Sequence, residues 1–390
     1  MRLFVQFKFC LVLAALAVLS ACSTADNSEP PAPLTDIEKP EYVRELWTTD
    51  TGKGVNFGSA QLQPLLIGSY IYTIDTTGLI RKVDSENGKT LWSFESGLAA
   101  STGLSGSESG LLVTSRNGEV ALYHFEPPVY DQPDLKLQWK VEIKSEILSR
   151  AVISDQQVFV RTVDGKLIAL DAENGQEQWA VSRRVPALSL TGSSYPVTTD
   201  ELVICGFDNG KLVAFDRTQG STVWESTIAS PKGRSEIERL VDLDGQFIML
   251  DGVLYISSYQ GNLVAVTVST GQVIWSRVFS SFQAIDADKD ALYLTDDRSL
   301  LWSIDRRTGS AFWQSDILKA RKITAPRLID NKLVVADLKG YVHWFDKQDG
   351  RLLTRIATDG IRYLAQPVVY EDKVIVMDNT NQLTALTQAR

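Results

Sequence analysis

An aspartate, a glycine four residues on and a tryptophan four further recur along this 390-residue chain: Asp84/Gly88/Trp92, Asp171/Gly175/Trp179, Asp216/Gly220/Trp224 and Asp305/Gly309/Trp313. Thr267/Gly271/Trp275 keeps the last two members, and Asp346/Gly350/Thr354 the first two. Trp139 follows a longer connection, and Trp47 stands one period before Trp92. Positions 47, 92, 139, 179, 224, 275, 313 and 354 thus mark eight equivalent places, 38 to 51 residues apart. A second series agrees. Gly78, Gly118, Gly165, Gly210, Gly261 and Gly340 mark six hairpins, and Arg298-Ser299 and Asn381-Gln382 supply two degenerate ones. Periods of this length belong to stacked supersecondary units.

The clearest unit is 151–182, four short apolar runs divided by turns at Asp155-Gln156, Asp164-Gly165 and Asn174-Gly175. Asp-Gly and Asn-Gly are favoured hairpin turns. The central runs, Val158-Phe159-Val160 and Leu167-Ile168-Ala169-Leu170, are apolar at successive positions. Successive strand side chains face opposite ways, so both faces of this small sheet must be covered. One copy cannot do that; a ring of copies can. The expectation is an all-β fold, an eight-bladed β-propeller of four-stranded antiparallel blades. The last unit, about 365–387, has three strands, while Tyr42–Thr48 has no companions of its own. That N-terminal strand is expected to join the last blade and close the ring.

The recurring residues carry structural work. The aspartate accepts N–H bonds inside its turn, and the glycine supplies positive φ. The tryptophan reaches the neighbouring sheet, where its N–H needs a partner. Trp92, Trp139, Trp179, Trp224, Trp275 and Trp313 are therefore read as inter-blade docking residues.

Residues 1–21 read as a signal peptide: Arg2 and Lys8 precede the apolar Phe9–Leu19, about eleven residues and too short to span a bilayer. It ends in Leu19-Ser20-Ala21-Cys22, which resembles the bacterial lipobox, making Cys22 the expected lipidation site. Residues 22–40, with Pro30, Pro31, Pro33 and Pro40 among polar residues, read as a lipidated flexible tether. Residues 41–390 are the propeller. The formal charge of −9 becomes −11 once Arg2 and Lys8 leave, and no basic run reaches five residues. A nucleic-acid groove is excluded on that pattern. Cys205, in the run Leu202-Val203-Ile204-Cys205, is expected to be a buried hydrophobe.

Catalytic material is sparse. The two histidines, His124 and His343, each lie within a strand, with no nucleophile–base grouping nearby. Asp286, Asp288, Asp290, Asp296 and Asp297 form the densest acidic cluster, read as solvated turns around blade six. No catalytic, metal or cofactor-binding residue is assigned.

The Asp…Gly…Trp repeat resembles the docking motif of quinoprotein alcohol dehydrogenases, whose propellers hold pyrroloquinoline quinone (PQQ) and calcium. Those enzymes characteristically carry a vicinal cysteine pair, and no two cysteines adjoin here. Lipobox, acidic mature chain, eight blades and closure by the N-terminal strand together resemble the BamB family, lipoproteins of the machinery that inserts β-barrel proteins into the Gram-negative outer membrane. The resemblance implies a non-enzymatic protein without cofactor, lipid-anchored in the outer membrane and facing the periplasm; Ser23 after the cysteine fits that address. It implies binding to the polypeptide-transport (POTRA) domains of BamA, and contact with unfolded barrel substrates as a further possibility. The segment 185–192 (VPALSLTG) matches one family contact and carries over Leu188, Leu190 and Thr191, the last where family members often have arginine. The segment 239–244 (RLVDLD) matches the second, with Asp242 and Asp244 as acidic contacts. The alternatives are another extracytoplasmic binding propeller and a PQQ-dependent dehydrogenase.

Overall fold

The computed structural model describes residues 29–55, 62–127, 133–185, 194–229, 243 and 245–388. Met1–Pro31 forms one unit, of which residues 29–31 are described and carry no strand; Ala32–Arg390 forms the other. Among the described residues there are thirty-two strands, β1 to β32, in eight four-stranded sheets. Seven sheets are consecutive meanders such as β10 (Val152–Ser154), β11 (Gln157–Arg161), β12 (Lys166–Asp171) and β13 (Glu177–Ser182). All are antiparallel, and the inner strands of several neighbouring sheets touch. The molecule is an eight-bladed propeller. In blade three, Val158, Phe159 and Val160 are fully buried, as the uninterrupted apolar run requires.

The eighth sheet joins β30 (Val368–Tyr370), β31 (Lys373–Met377) and β32 (Gln382–Gln388) in the order β1-β32-β31-β30, with β1 (Val43–Asp50) as its outer strand. Val43 pairs with Gln388 and Asp50 with Gln382, with an irregularity between Glu45 and Trp47. The ring is closed by backbone hydrogen bonds between the two ends of the propeller, as the three-stranded tail requires.

The segment leading into β1 departs from the sequence reading of a flexible tether through residue 40. Ala32 N–H donates to the Lys319 carbonyl and Arg321 Nη1 to the Ala32 carbonyl, at 2.9 and 3.0 Å. Leu34 and Ile37 pack against the cluster of Leu318, Ile323, Leu333 and Leu352. Two apolar residues three apart in an otherwise polar stretch give it something to bury, so from Ala32 it is held on blades six and seven.

The residues of the repeat lie at the seams between blades. Asp84, Asp171, Asp216, Asp305 and Asp346 each accept the N–H two residues on, at 2.8–2.9 Å. The Nε1 of Trp139, Trp179, Trp224, Trp275 and Trp313 donates to a carbonyl of the following blade, at Ala172, Arg217, Val268, Arg306 and Lys347 respectively. Each acceptor is the residue after the motif's first position. Each indole also lies on the next blade's motif glycine: a Cβ on Gly175, Gly220, Gly309 or Gly350 would come under 3.0 Å from it. Glycine is thus required twice, for φ near +70° and for room.

Two tryptophans depart from this pattern. Trp47 rests on Gly88 but its Nε1 is buried without a partner. Trp92 faces a blade whose Asp-Gly turn is replaced by the Pro-rich excursion after Phe125. It packs beside Tyr72, and its Nε1 is likewise buried and unpartnered. Its neighbour there is an ion pair, Lys82 to Asp134 at 2.7 Å, with Tyr70 beneath the ammonium at 4.4 Å.

The middle hairpins carry a device that the glycine count did not show. Asp75, Asp296, Asp337 and Asp378 each accept N–H groups two and four residues on. Hydroxyls of Ser115, Thr162 and Ser258 accept the fourth of these in blades two, three and five. In blade five the positive φ falls on Gln260, not on Gly261.

Candidate docking face

Each blade's outer strand returns to the next blade's inner strand across one face of the ring, where the middle hairpins also lie. The connection from β13 to β14 (Val197–Thr198) carries Leu188, Leu190 and Thr191; the one from β17 (Thr222–Thr227) to β18 (Ile248–Leu250) carries Asp242 and Asp244. All five lie outside the described residues, as does Cys22. The roots of both connections are described, and they are firmly held.

Arg183 N–H donates to the Gly165 carbonyl at 2.8 Å, and the Arg183 guanidinium lies over Phe215 and donates to Thr222 Oγ1. At the far end of that connection Ser194 is fully buried. In the next connection, the Ile228 and Ala229 N–H groups both donate to the Gly210 carbonyl. Leu243 and Phe247 are buried in a cluster with Ile204, Leu212, Trp224 and Leu254. Gly206 leaves them room: a Cβ there would lie 2.9 Å from Leu243 and 2.7 Å from Phe247. Between blades three and four, Arg161 and Asp208 form an ion pair, with side-chain exposures of 6% and 7%. Arg217 adds a clasp, donating to Ser154 and Thr199 carbonyls and to Asp155. Two adjacent connections thus spring from a stiff foundation.

Most of the candidate chemical groups are absorbed by the fold. His343 Nε2 lies 3.1 Å from Asp337 Oδ2, which Arg321 Nε also meets at 2.7 Å, and both His343 and Asp337 are fully buried. Burial, opposed by Asp337, pulls the imidazole below its ordinary pKa. His124 Nε2 stands 3.5 Å from Glu126 on the surface. Cys205 is buried, which pushes its thiol up to about 12. A calcium ion needs several converging oxygens, and the blade-six carboxylates do not converge. Asp286 Oδ2 accepts the Leu328 N–H, and Asp296 closes its own turn. Asp288 accepts from Lys347, Tyr293 and two N–H groups.

A family model described as "Outer membrane protein assembly factor BamB" matches residues 76–315. The Yersinia pestis protein of that name is 32% identical over 385 residues, covering 96% of this chain and 98% of its own. The chain belongs to the BamB family. The crystal structure of BamB from Moraxella catarrhalis superposes with a TM-score of 0.76 at 23% identity, covering 89% of this chain and all of the other. A quinohemoprotein alcohol dehydrogenase from Comamonas testosteroni shares the fold, with a TM-score of 0.69 at 11% identity over 89% of this chain and 77% of its own. The propeller is therefore common to BamB proteins and quinoproteins. The full-length sequence similarity is with BamB.

Proposed function

We propose that this ring is a non-enzymatic scaffold of outer-membrane protein assembly that binds the POTRA domains of BamA through its 3–4 and 4–5 connections. The observation that carries the reading is similarity along nearly the whole chain to outer membrane protein assembly factors. The firm roots at Gly165, Gly210 and Leu243 support it, since a pre-organised platform loses less entropy on binding. Leu188 and Leu190 supply the apolar centre and Asp242 and Asp244 the charged edge, the usual plan of a protein interface. Thr191, lacking a guanidinium, makes no ion pair. Acylation of Cys22 anchors the ring in the outer membrane on the periplasmic side, since several acyl chains make such anchoring stable.

Substituting Leu188 or Asp242 by alanine tests the reading. POTRA-domain binding weakens while thermal unfolding of the ring stays within a degree or two, as for surface positions. Binding that is unchanged in both variants would move the interface elsewhere. Adding PQQ and calcium and observing dye-linked alcohol oxidation would favour the quinoprotein alternative instead.

A further inference from the structure

One position repeats two residues before every inner strand. In blades one, three, four, five and eight it holds long polar side chains, Gln63, Arg150, Tyr195, Gln246 and Gln366, the last donating to the Pro326 carbonyl at 2.6 Å. The register makes them equivalent, because each inner strand's first residue pairs with the third residue of the next strand. Blades two, six and seven have glycine or alanine there.

Those of blades one, three, four and five meet. Arg150 Nη2 donates to Gln63 Oε1 at 2.7 Å, and Gln246 Nε2 donates to the same oxygen at 3.3 Å. Tyr195 Oη donates to Gln246 Oε1 at 3.4 Å, and the Arg150 guanidinium lies 5.5 Å from the Tyr195 ring centre. Blades one and five are opposite in a ring of eight, so the Gln63–Gln246 bond crosses the axis and bars the channel mouth.

Several of the other sheltered arginines face a carboxylate. Arg161 faces Asp208, Arg217 faces Asp155, Arg306 faces Asp251 and Arg321 faces Asp337. Arg150 makes no ion pair among the described residues; its Nη2 serves Gln63, and its guanidinium lies beside the Tyr195 ring. Burial pulls its pKa down, as desolvation of an uncompensated cation must.

We propose that Arg150, braced by Gln63 and backed by Tyr195, is the seat of a peptide carboxylate entering the axial mouth. A guanidinium fork matches a carboxylate with two parallel hydrogen bonds, and sheltering from water strengthens the pair. The Gln63–Gln246 bar stops a chain from threading through, so what enters is a chain terminus or an acidic side chain. Tyr195 and Gln246 lie on the connections that also carry Leu188 and Asp242, but the carboxylate seat stands whether or not those segments bind BamA.

The test is calorimetric titration of the full chain at fixed ionic strength with N-acetylglycine, N-acetylglutamate α-amide and, as the uncharged control, N-acetylglycinamide. At least one carboxylate binds about tenfold or more tighter than the control, and Arg150→Gln removes that preference. Preference for N-acetylglycine identifies a chain terminus; preference for the glutamate derivative identifies a side chain. Gln246→Ala, which opens the bar and leaves Arg150, retains the preference, and an unchanged thermal unfolding midpoint of Arg150→Gln shows that its loss of preference is not loss of folding. No binding, equal binding of the control, or an unchanged Arg150→Gln variant overturns the proposal.

Discussion

The indole of Trp179 lies directly against Gly220 of the next blade: a Cβ added at Gly220 would sit 2.7 Å from two ring carbons. Gly220 has φ of +69°, so its residue type is fixed both by the turn and by the indole. Gly220→Ala is expected to cost about 2–4 kcal/mol, combining left-handed strain and overpacking. Trp179→Ala should cost about 3–5 kcal/mol. The double variant should cost less than the sum, because removing the indole removes the clash. Equilibrium denaturation of the four proteins measures this coupling, and strict additivity would separate the two residues.

Trp92 and Trp179 occupy equivalent places but differ in one bond. Trp179 Nε1 reaches the Arg217 carbonyl at 2.7 Å, whereas Trp92 Nε1 is buried without an acceptor. Trp179→Phe therefore loses a hydrogen bond and strands a carbonyl, about 1–3 kcal/mol. Trp92→Phe removes an unsatisfied donor and should cost less, or nothing beyond lost packing. Denaturant midpoints at constant slope test the ordering.

Thr354 stands where the other outer strands carry tryptophan, and the reason is the chain's own N-terminal segment. Thr354 Oγ1 donates to the Glu41 carbonyl at 2.7 Å, and Glu41 N–H reaches the Leu353 carbonyl. In blade eight the outer strand is β1, so no Asp-Gly turn joins its third strand to its fourth to receive an indole. Thr354→Trp should destabilise by about 1–3 kcal/mol through overpacking and expose residues 32–41 to protease. Unchanged protease protection of that segment would contradict this account of the seam.

Acid sensitivity follows from the buried His343–Asp337 pair. Burial holds His343 below its unfolded pKa of about 6.5. Between those two values the unfolded chain binds the proton more readily, so stability falls as pH drops below about 6.5. Asp337 acts in the same direction at lower pH. Burial raises its pKa, but hydrogen bonds from His343 and from the Tyr341 and Lys339 N–H groups outweigh this, leaving it below the ordinary value. Its stabilisation is present above about pH 4 and is lost as pH falls through the depressed pKa. His343→Gln should flatten the stability profile just below pH 6.5, followed by denaturation at successive pH values.

The fold was legible because its signals are local and repeated. Asp171, Gly175 and Trp179 lie within nine residues, and the missing fourth strand of the tail pointed to the strand containing Trp47. What escaped detection depends on residues far apart in sequence. The Gln63–Gln246 bond joins positions 183 residues apart, and nothing around either residue marks it. The docking of Leu34 and Ile37 was hidden by the prolines around them, which read as tether. The aspartate caps of the middle hairpins were visible in principle, since Asp75, Asp296, Asp337 and Asp378 fall at one register position; glycine drew attention away from them. Leu188, Leu190, Thr191, Asp242 and Asp244 came from family resemblance, and they remain proposals.

The central claim is that this propeller serves as a docking platform for a barrel-assembly partner. Incubating the full chain with isolated BamA POTRA domains and recovering the complex tests it most directly. Saturable binding that an unrelated periplasmic protein does not reproduce is the expected result. Failure of folded, soluble POTRA domains to bind the folded ring at any attainable concentration would contradict it.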